Sequence, residues 1–293
     1  MKKLILAALL AAAAAPAAAQ TPLPDANPAM WVVKDEDTTI YLFGTFHMLD
    51  GKSDWFNDEV KTAFDASQEV VLEAKLPENP ADLQPLIVKY AVDPAGKTLS
   101  SKLPADMKAR YEKTLGAAGI PAQAFEPLEP WFASIALTQV ATQKLGLKGE
   151  NGPETILTKA AKAKGMPIDE LEGMEFQLSL FDRMPEAQQV KFLGQTLDGV
   201  EKIGETMAPM LKAWSDGDTE GLVRILNQSL ADDPQLYDIM FTNRNKTWAE
   251  WIQKRLDKPG TVFVAVGAGH LAGKNSVQQL LAERGIKSAR VSK

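Results

Sequence analysis

Ile40-Tyr41-Leu42-Phe43-Gly44-Thr45-Phe46-His47 and Val262-Phe263-Val264-Ala265-Val266-Gly267-Ala268-Gly269-His270 are the two stretches on which the reading of this 293-residue chain turns. Each is an apolar run that ends in Gly-x-x-His, and the two histidines are the only ones in the chain. A short apolar run closed by glycine reads as a strand, and the second of the two, small and β-branched, reads as buried on both faces. The glycine three residues before each histidine permits a positive φ or a close backbone approach where the strand breaks. Histidine is the side chain best suited to metal ligation and to proton transfer near neutral pH. Two of them in matching contexts, far apart in the chain, are expected to meet in the fold.

Working outward from the first stretch, residues 29–33 and 38–43 read as an antiparallel hairpin around the charged turn Lys34-Asp35-Glu36-Asp37. Trp55, Phe56, Val60, Ala63 and Phe64 have helical spacing, and Glu69-Val70-Val71-Leu72-Glu73 follows as a strand. This is a βαβ unit, whose two strands run parallel. The second stretch repeats the order, with a strand over 261–266, a helix over 275–284 closed by Gly285, and a strand over 287–291. Between them, residues 77–260 are mostly helical, with helices expected over 107–115, 131–145, 154–164, 185–214 and 234–256. One short strand, 167–171, interrupts them between turn signals at Gly165 and Glu172-Gly173. The expected fold is α/β: a mixed, largely parallel sheet from two βαβ-like Gly-x-x-His halves with a large helical insertion, all within residues 30–291.

The beginning of the chain reads differently. Lys2 and Lys3 precede an apolar stretch too short to span a bilayer, and Ala17-Ala18-Ala19 offers a small-x-small cleavage site. Residues 1–19 are therefore expected to be a signal peptide and 20–29 a proline-bearing tether. The mature protein is expected in the periplasm of a Gram-negative bacterium or secreted, with no transmembrane anchor. There is no cysteine, so neither disulfides nor lipid attachment at the signal junction enter. A formal net charge of −6 and the lack of any dense basic tract argue against nucleic-acid binding.

In open α/β sheets, ligands sit outside the carboxyl ends of the strands. His47, Glu73, Glu172 and His270 fall at that end of four expected strands. Neighbouring strands lie about 4.8 Å apart, so residues on adjacent strand ends can share one ion. Two imidazoles with one or two carboxylates and no sulfur suit manganese, iron(II), cobalt or zinc without choosing among them. Such an ion lowers the pKa of bound water and polarises a carbonyl, and a carboxylate left off the metal can serve as general base. Whether Glu73 or Glu172 takes each part is open at this point, and a strand-end carboxylate can also simply cap the next helix. No GxSxG elbow, HExxH helix, phosphate-binding loop or dinucleotide fingerprint is present.

Gly44-Thr45-Phe46-His47, Val70-Val71-Leu72-Glu73 and the Val264–Gly273 stretch resemble the TraB/GumN family. That family is related to the Tiki metalloproteases and, more distantly, to erythromycin esterase-like and ChaN-like proteins. In the middle of the chain, Gly152-Pro153-Glu154, Leu171-Glu172 with Gln177, and Arg244-Asn245 with Trp248 match its other segments. The resemblance implies a metal-dependent hydrolase of peptide (amide) or ester bonds. His47, His270 and Glu73 would form its core site, and manganese or cobalt supports peptide cleavage in the Tiki members. It also implies that Glu154 or Glu172 completes the site as ligand or base. Arg244 would lie nearby, holding a substrate carboxylate or an oxyanion. The ChaN branch implies an alternative, a periplasmic binding protein for haem or a small ligand; a non-catalytic relative is the other.

Overall fold

Alternation decides how the central strands sit. In Gly260–Gly267, Phe263 and Ala265 face one side while Val262, Val264 and Val266 face the other, and all five are buried. A strand buried on both faces needs a layer on each. The computed structural model, which describes residues 22–230 and 233–292, supplies them. Its strands are β1 (Met30–Lys34), β2 (Thr38–Thr45), β3 (Glu69–Leu72), β4 (Ile168–Glu170), β5 (Gly260–Gly267) and β6 (Ser288–Arg290). They form one sheet in the order β4-β3-β5-β2-β1-β6, parallel except for β1, which pairs antiparallel with β2 and β6. This is the mixed, largely parallel α/β sheet expected from the sequence, each strand lying within one or two residues of its expected place.

The helices are α1 (Asp58–Ala66), α2 (Gln84–Ala91), α3 (Ala105–Ala118), α4 (Pro130–Lys144), α5 (Pro153–Lys164), α6 (Met174–Asp182) and α7 (Glu186–Gly199), continued by α8 (Ile203–Ser215), α9 (Thr219–Leu230), α10 (Pro234–Tyr237), α11 (Asn243–Arg255) and α12 (Val277–Glu283). One face of the sheet is covered by Val60 and Phe64 of α1, Leu157 of α5 and Trp214 of α8. The other is covered by Trp248 and Ile252 of α11 and Leu281 of α12. The two Gly-x-x-His strands are direct neighbours, paired in parallel from Thr38↔Gly260 to Thr45↔Gly267. Each crossover therefore steps over the other: β2–α1–β3 skips β5, and β5–α12–β6 skips β2 and β1.

Several details depart from the expectations. The single helix expected over 185–214 is two, α7 and α8, joined by a tight turn at Val200–Lys202. That expected over 234–256 is α10, a π-helical turn at Asp238–Thr242, and α11. Helices α2, α6 and α9 are additional to those expected; α2 and α6 are short, and short helices form by packing more than by local propensity. The expected signal peptide and the start of the tether lie outside the described residues. The end of the tether is docked: Ala26 is buried and donates to Asp54 O at 3.0 Å, and Asn27 donates to Ser215 O at 2.7 Å. Among the described residues, no helix is long and apolar enough to cross a membrane.

One buried ion cluster holds the helical part. Lys102, 2% exposed, lies 2.5 Å from Asp93 and 2.8 Å from Glu129. The Lys102 hydrogen bond holds the Asp93 carboxyl below its usual range. Lys102→Met should cost about 2 kcal/mol; this is less than the full price of a broken buried pair, because Asp93 keeps the N–H groups of Ala95 and Lys97. The stabilisation from a depressed carboxyl is present above its ordinary pKa and is lost as pH falls through the folded value. Denaturant titrations should therefore show the deficit at neutral pH and see it close in acid.

Candidate active site at the sheet rim

The parallel strands end together, and their ends carry the ionisable groups. Glu73 follows β3 directly and its N–H donates to Ala265 O at 3.0 Å. Glu172 lies two residues past β4, its N–H on Glu73 O at 3.0 Å. His47 is two residues past β2, and His270 sits in the one-turn helix Ala268–Leu271 after β5. The two glycines serve close approach and neither has a positive φ. A methyl on Gly44 would press on Ala268 at 3.2 Å; one on Gly267 would meet Glu73 Oε2 at 3.4 Å, His270 Cδ2 at 3.5 Å and His47 Nε2 at 3.6 Å. Gly267 thus marks the point on which the two histidines and Glu73 converge.

Each imidazole is oriented from behind. Glu154, at the first turn of α5, has Oε1 2.6 Å from His47 Nδ1 and accepts the Thr45 hydroxyl at 2.6 Å. Asn245 Oδ1 is 2.6 Å from His270 Nδ1, and the Trp248 ring lies 4.3 Å from the His270 ring centre to centre. Both rings therefore hold their Nδ1 edges on protein acceptors and leave Nε2 for the site. Glu154, a candidate ligand from the sequence, stands instead on the far edge of His47, where it orients the ring.

Arg244, the second residue of α11, ties the remaining groups together. Its Nη2 donates to Glu73 at 2.5 Å and to Glu172 at 2.7 Å, and Nε donates to Glu172 at 3.0 Å. Nη1 donates to Met240 O at 3.1 Å and lies 3.2 Å from His270 Nε2. A guanidinium has five N–H groups, and as the side chains stand all five are directed at protein acceptors. Glu172 is likewise committed: besides Arg244 it accepts Trp248 Nε1 at 2.9 Å and Gln177 Nε2 at 3.3 Å. It holds Arg244 in place and has no direct contact with either histidine among the hydrogen bonds and ion pairs of the described residues. Glu73 keeps Oε2, which accepts Gly267 N–H at 3.0 Å and lies 3.9 Å from His270 Nε2.

The electrostatics follow from these contacts. Burial pushes the Glu73 carboxyl up, but the positive groups facing it, His270 when charged, Arg244 and His47, hold it well below the usual range. His270 itself is driven down to about 3, first by burial and then by Arg244 and His47 against the pull of Glu73. Its ring is therefore neutral at neutral pH, which leaves Arg244 and His47 as the cations facing Glu73. His47 goes the other way, raised to about 9, chiefly by the Glu154 carboxylate. Its side chain is 64% exposed toward the cavity, so solvent screens that pair.

Above the rim lies a cavity of about 690 Å³, roofed by α4, α6, α7, α8 and α9 and by the π-helical turn before Arg244. His47, Glu73, Arg244 and His270 line its floor. Among the described residues, no three His, Asp or Glu side chains are drawn in at ligating distance as they stand. The donor chemistry nevertheless fits a divalent ion: two Nε2 atoms held from behind and one carboxylate, the arrangement by which orienting acceptors present imidazole ligands. Binding there requires His270 Nε2 to exchange Arg244 Nη1 for the ion, and Nη1 retains Met240 O.

Asn245 and Gln177 carry more of the site than their sequence context revealed. Both had stood only as parts of the family resemblance, and Asn245 is the acceptor that fixes the His270 ring.

Over 201 residues, 69% of this chain and 74% of the relative, the sequence is 27% identical to the uncharacterized protein YbaP of Escherichia coli (strain K12). The match to the protein of the same name from Shigella flexneri has the same extent and identity. No solved structure matches the chain. The model of the TraB/PrgY/gumN family matches residues 29–290, which takes in every strand and all the rim residues described above, and the chain belongs to that family.

Proposed function

We propose that this protein is an exported, metal-dependent hydrolase that cleaves amide bonds. The observation that carries the reading is the convergence on Gly267 of His47 Nε2, the His270 ring and Glu73 Oε2 at the floor of the cavity. His47, His270 and Glu73 would hold the ion. A bound divalent ion supplies Lewis acidity, which polarises a carbonyl and makes water a nucleophile near neutral pH. The protein's own groups do the rest. Glu154 and Asn245 fix the two rings, and Arg244 keeps Glu73 ionised and in register with Glu172.

Calorimetric titration of the mature protein with Mn²⁺, Co²⁺ and Zn²⁺ tests the reading. One ion per chain is expected, with uptake lost in His47→Ala and in His270→Ala. No uptake, or uptake unchanged by both substitutions, would refute it.

A further inference from the structure

The cavity is large for the few polar atoms it contains, and the chemistry of its walls limits what can fill it. Its roof is built from side chains such as Phe181, Phe192, Met207, Met210, Leu226 and Ile239. Among the described residues, its charged lining groups are confined to the floor, where Glu73 is paired with Arg244 and His47 with Glu154. No unpaired charge remains to receive a charged terminus or head group inside.

Most hydrogen-bond donors of the wall are already used by the protein. The Thr45 hydroxyl donates to Glu154, Thr138 to Ser134 O, and Thr142 to the carbonyls of Thr138 and Gln139. The Gln177 amide nitrogen is used by Glu73 and Glu172, which among the described residues leaves the exposed Gln139 amide as a lone polar head on the α4 wall. A peptide threaded into this space would bring an N–H and a C=O with every residue, each costly to bury unpaired. Peptides commonly solve that problem by extending a sheet edge. Here the edges are β4 and β6, whereas the site stands on β3, β5 and β2 in the middle.

We infer that the cavity takes a straight, uncharged alkyl chain, the acyl half of a fatty-acyl amide whose carbonyl rests on the rim and whose amine half points to solvent. The placement of the scissile carbonyl rests on the hydrolase reading; the filling of the cavity does not. Methionine's flexible thioether suits a wall that accommodates chains of varying length. Cleavage would be hydrolysis: water adds at the carbonyl carbon, the C–N bond breaks, the nitrogen gains a proton, and a fatty acid and a free amine leave.

The test is isothermal titration of the metal-free protein with butanoyl, hexanoyl, octanoyl and decanoyl glycinamide, and with a capped leucine-alanine tetrapeptide of similar apolar area. Affinity should rise about fourfold per added methylene, the ordinary gain for burying one. The peptide should bind more weakly than the decanoyl compound. Met210→Glu should weaken decanoyl binding at least tenfold while leaving ion uptake unchanged, and the chain-length series on the wild type decides the matter even if that variant fails to fold. Affinity independent of length, or tighter binding of the peptide, would overturn the inference. Length-dependent binding by a protein that takes up no ion would leave it standing and sink the hydrolase reading. Ion uptake with a flat length series would overturn this inference alone.

Discussion

Arg244→Met is expected to cost roughly 3–5 kcal/mol of folding stability, the range for removing one partner of a buried ion pair. Methionine fills most of the space, so the loss is electrostatic. It strands Glu73 and Glu172, whose side chains are 11% and 4% exposed and which share Gln177 at 3.0 and 3.3 Å. Two carboxylates this close and this buried cannot both stay ionised cheaply. The deficit should therefore depend on pH. In the wild type Glu73 is depressed, so its contribution is present above about 4.5, the ordinary carboxyl value, and is lost as pH falls through the folded one. In the variant a carboxyl is pushed upward, and protonation relieves it. Urea melts at pH 7 and pH 4 should show a wide gap between the proteins at the first and a narrow one at the second. Arg244→Lys should recover little, because an ammonium has three donors and cannot reproduce the planar grip on two carboxylates and an imidazole. A variant as stable as the wild type at pH 7 would show that the guanidinium is not what holds the rim together.

Glu154→Gln should weaken binding of Mn²⁺ or Co²⁺ by about 10–100-fold, the usual effect of removing the acceptor behind a ligating imidazole. The full loss should be read at pH near 9 and above, where His47 of the wild type has shed its proton. At lower pH an incoming ion must expel the proton that Glu154 holds on the ring, so wild-type affinity rises with pH and the gap between the two proteins shrinks in acid. Ion-free stability carries the complementary signature. His47 is raised, so its contribution is whole below about 6.5 and is gone once pH passes about 9. Glu154 is lowered despite its burial, by the charge and hydrogen bond of His47 and the Thr45 hydroxyl, so its contribution is whole above about 4.5. The melting difference between wild type and Glu154→Gln should peak between those limits. A difference indifferent to pH would mean that His47 and Glu154 do not share a proton.

The centre of the sheet was legible because its strands have local signatures. β2 and β5 are apolar runs ended by Gly-x-x-His, and β1 and β2 are joined by a short charged turn that suits a hairpin. Their placement at one rim followed from parallel direction alone, and the structure brings His47, Glu73 and His270 around Gly267. The partners of those residues were not legible. Glu154 reads as a favourable charge at a helix start and Arg244 as a solvated helix arginine; Asn245 has no local signature at all. Their roles depend on contacts over 107, 171 and 25 residues of sequence, to His47, Glu73 and His270.

By itself, the sequence determined which segments are strands, that most run parallel, and which end of the sheet gathers the ionisable groups, because side-chain periodicity and chain direction are local properties. Only the tertiary structure decided that β5 inserts between β3 and β2, that Glu154 and Asn245 stand behind the imidazoles, and that Arg244 gives its donors to protein acceptors. Those outcomes arise from burial: a charge or ring nitrogen removed from water must find a partner, and the packed fold alone determines which one is within reach.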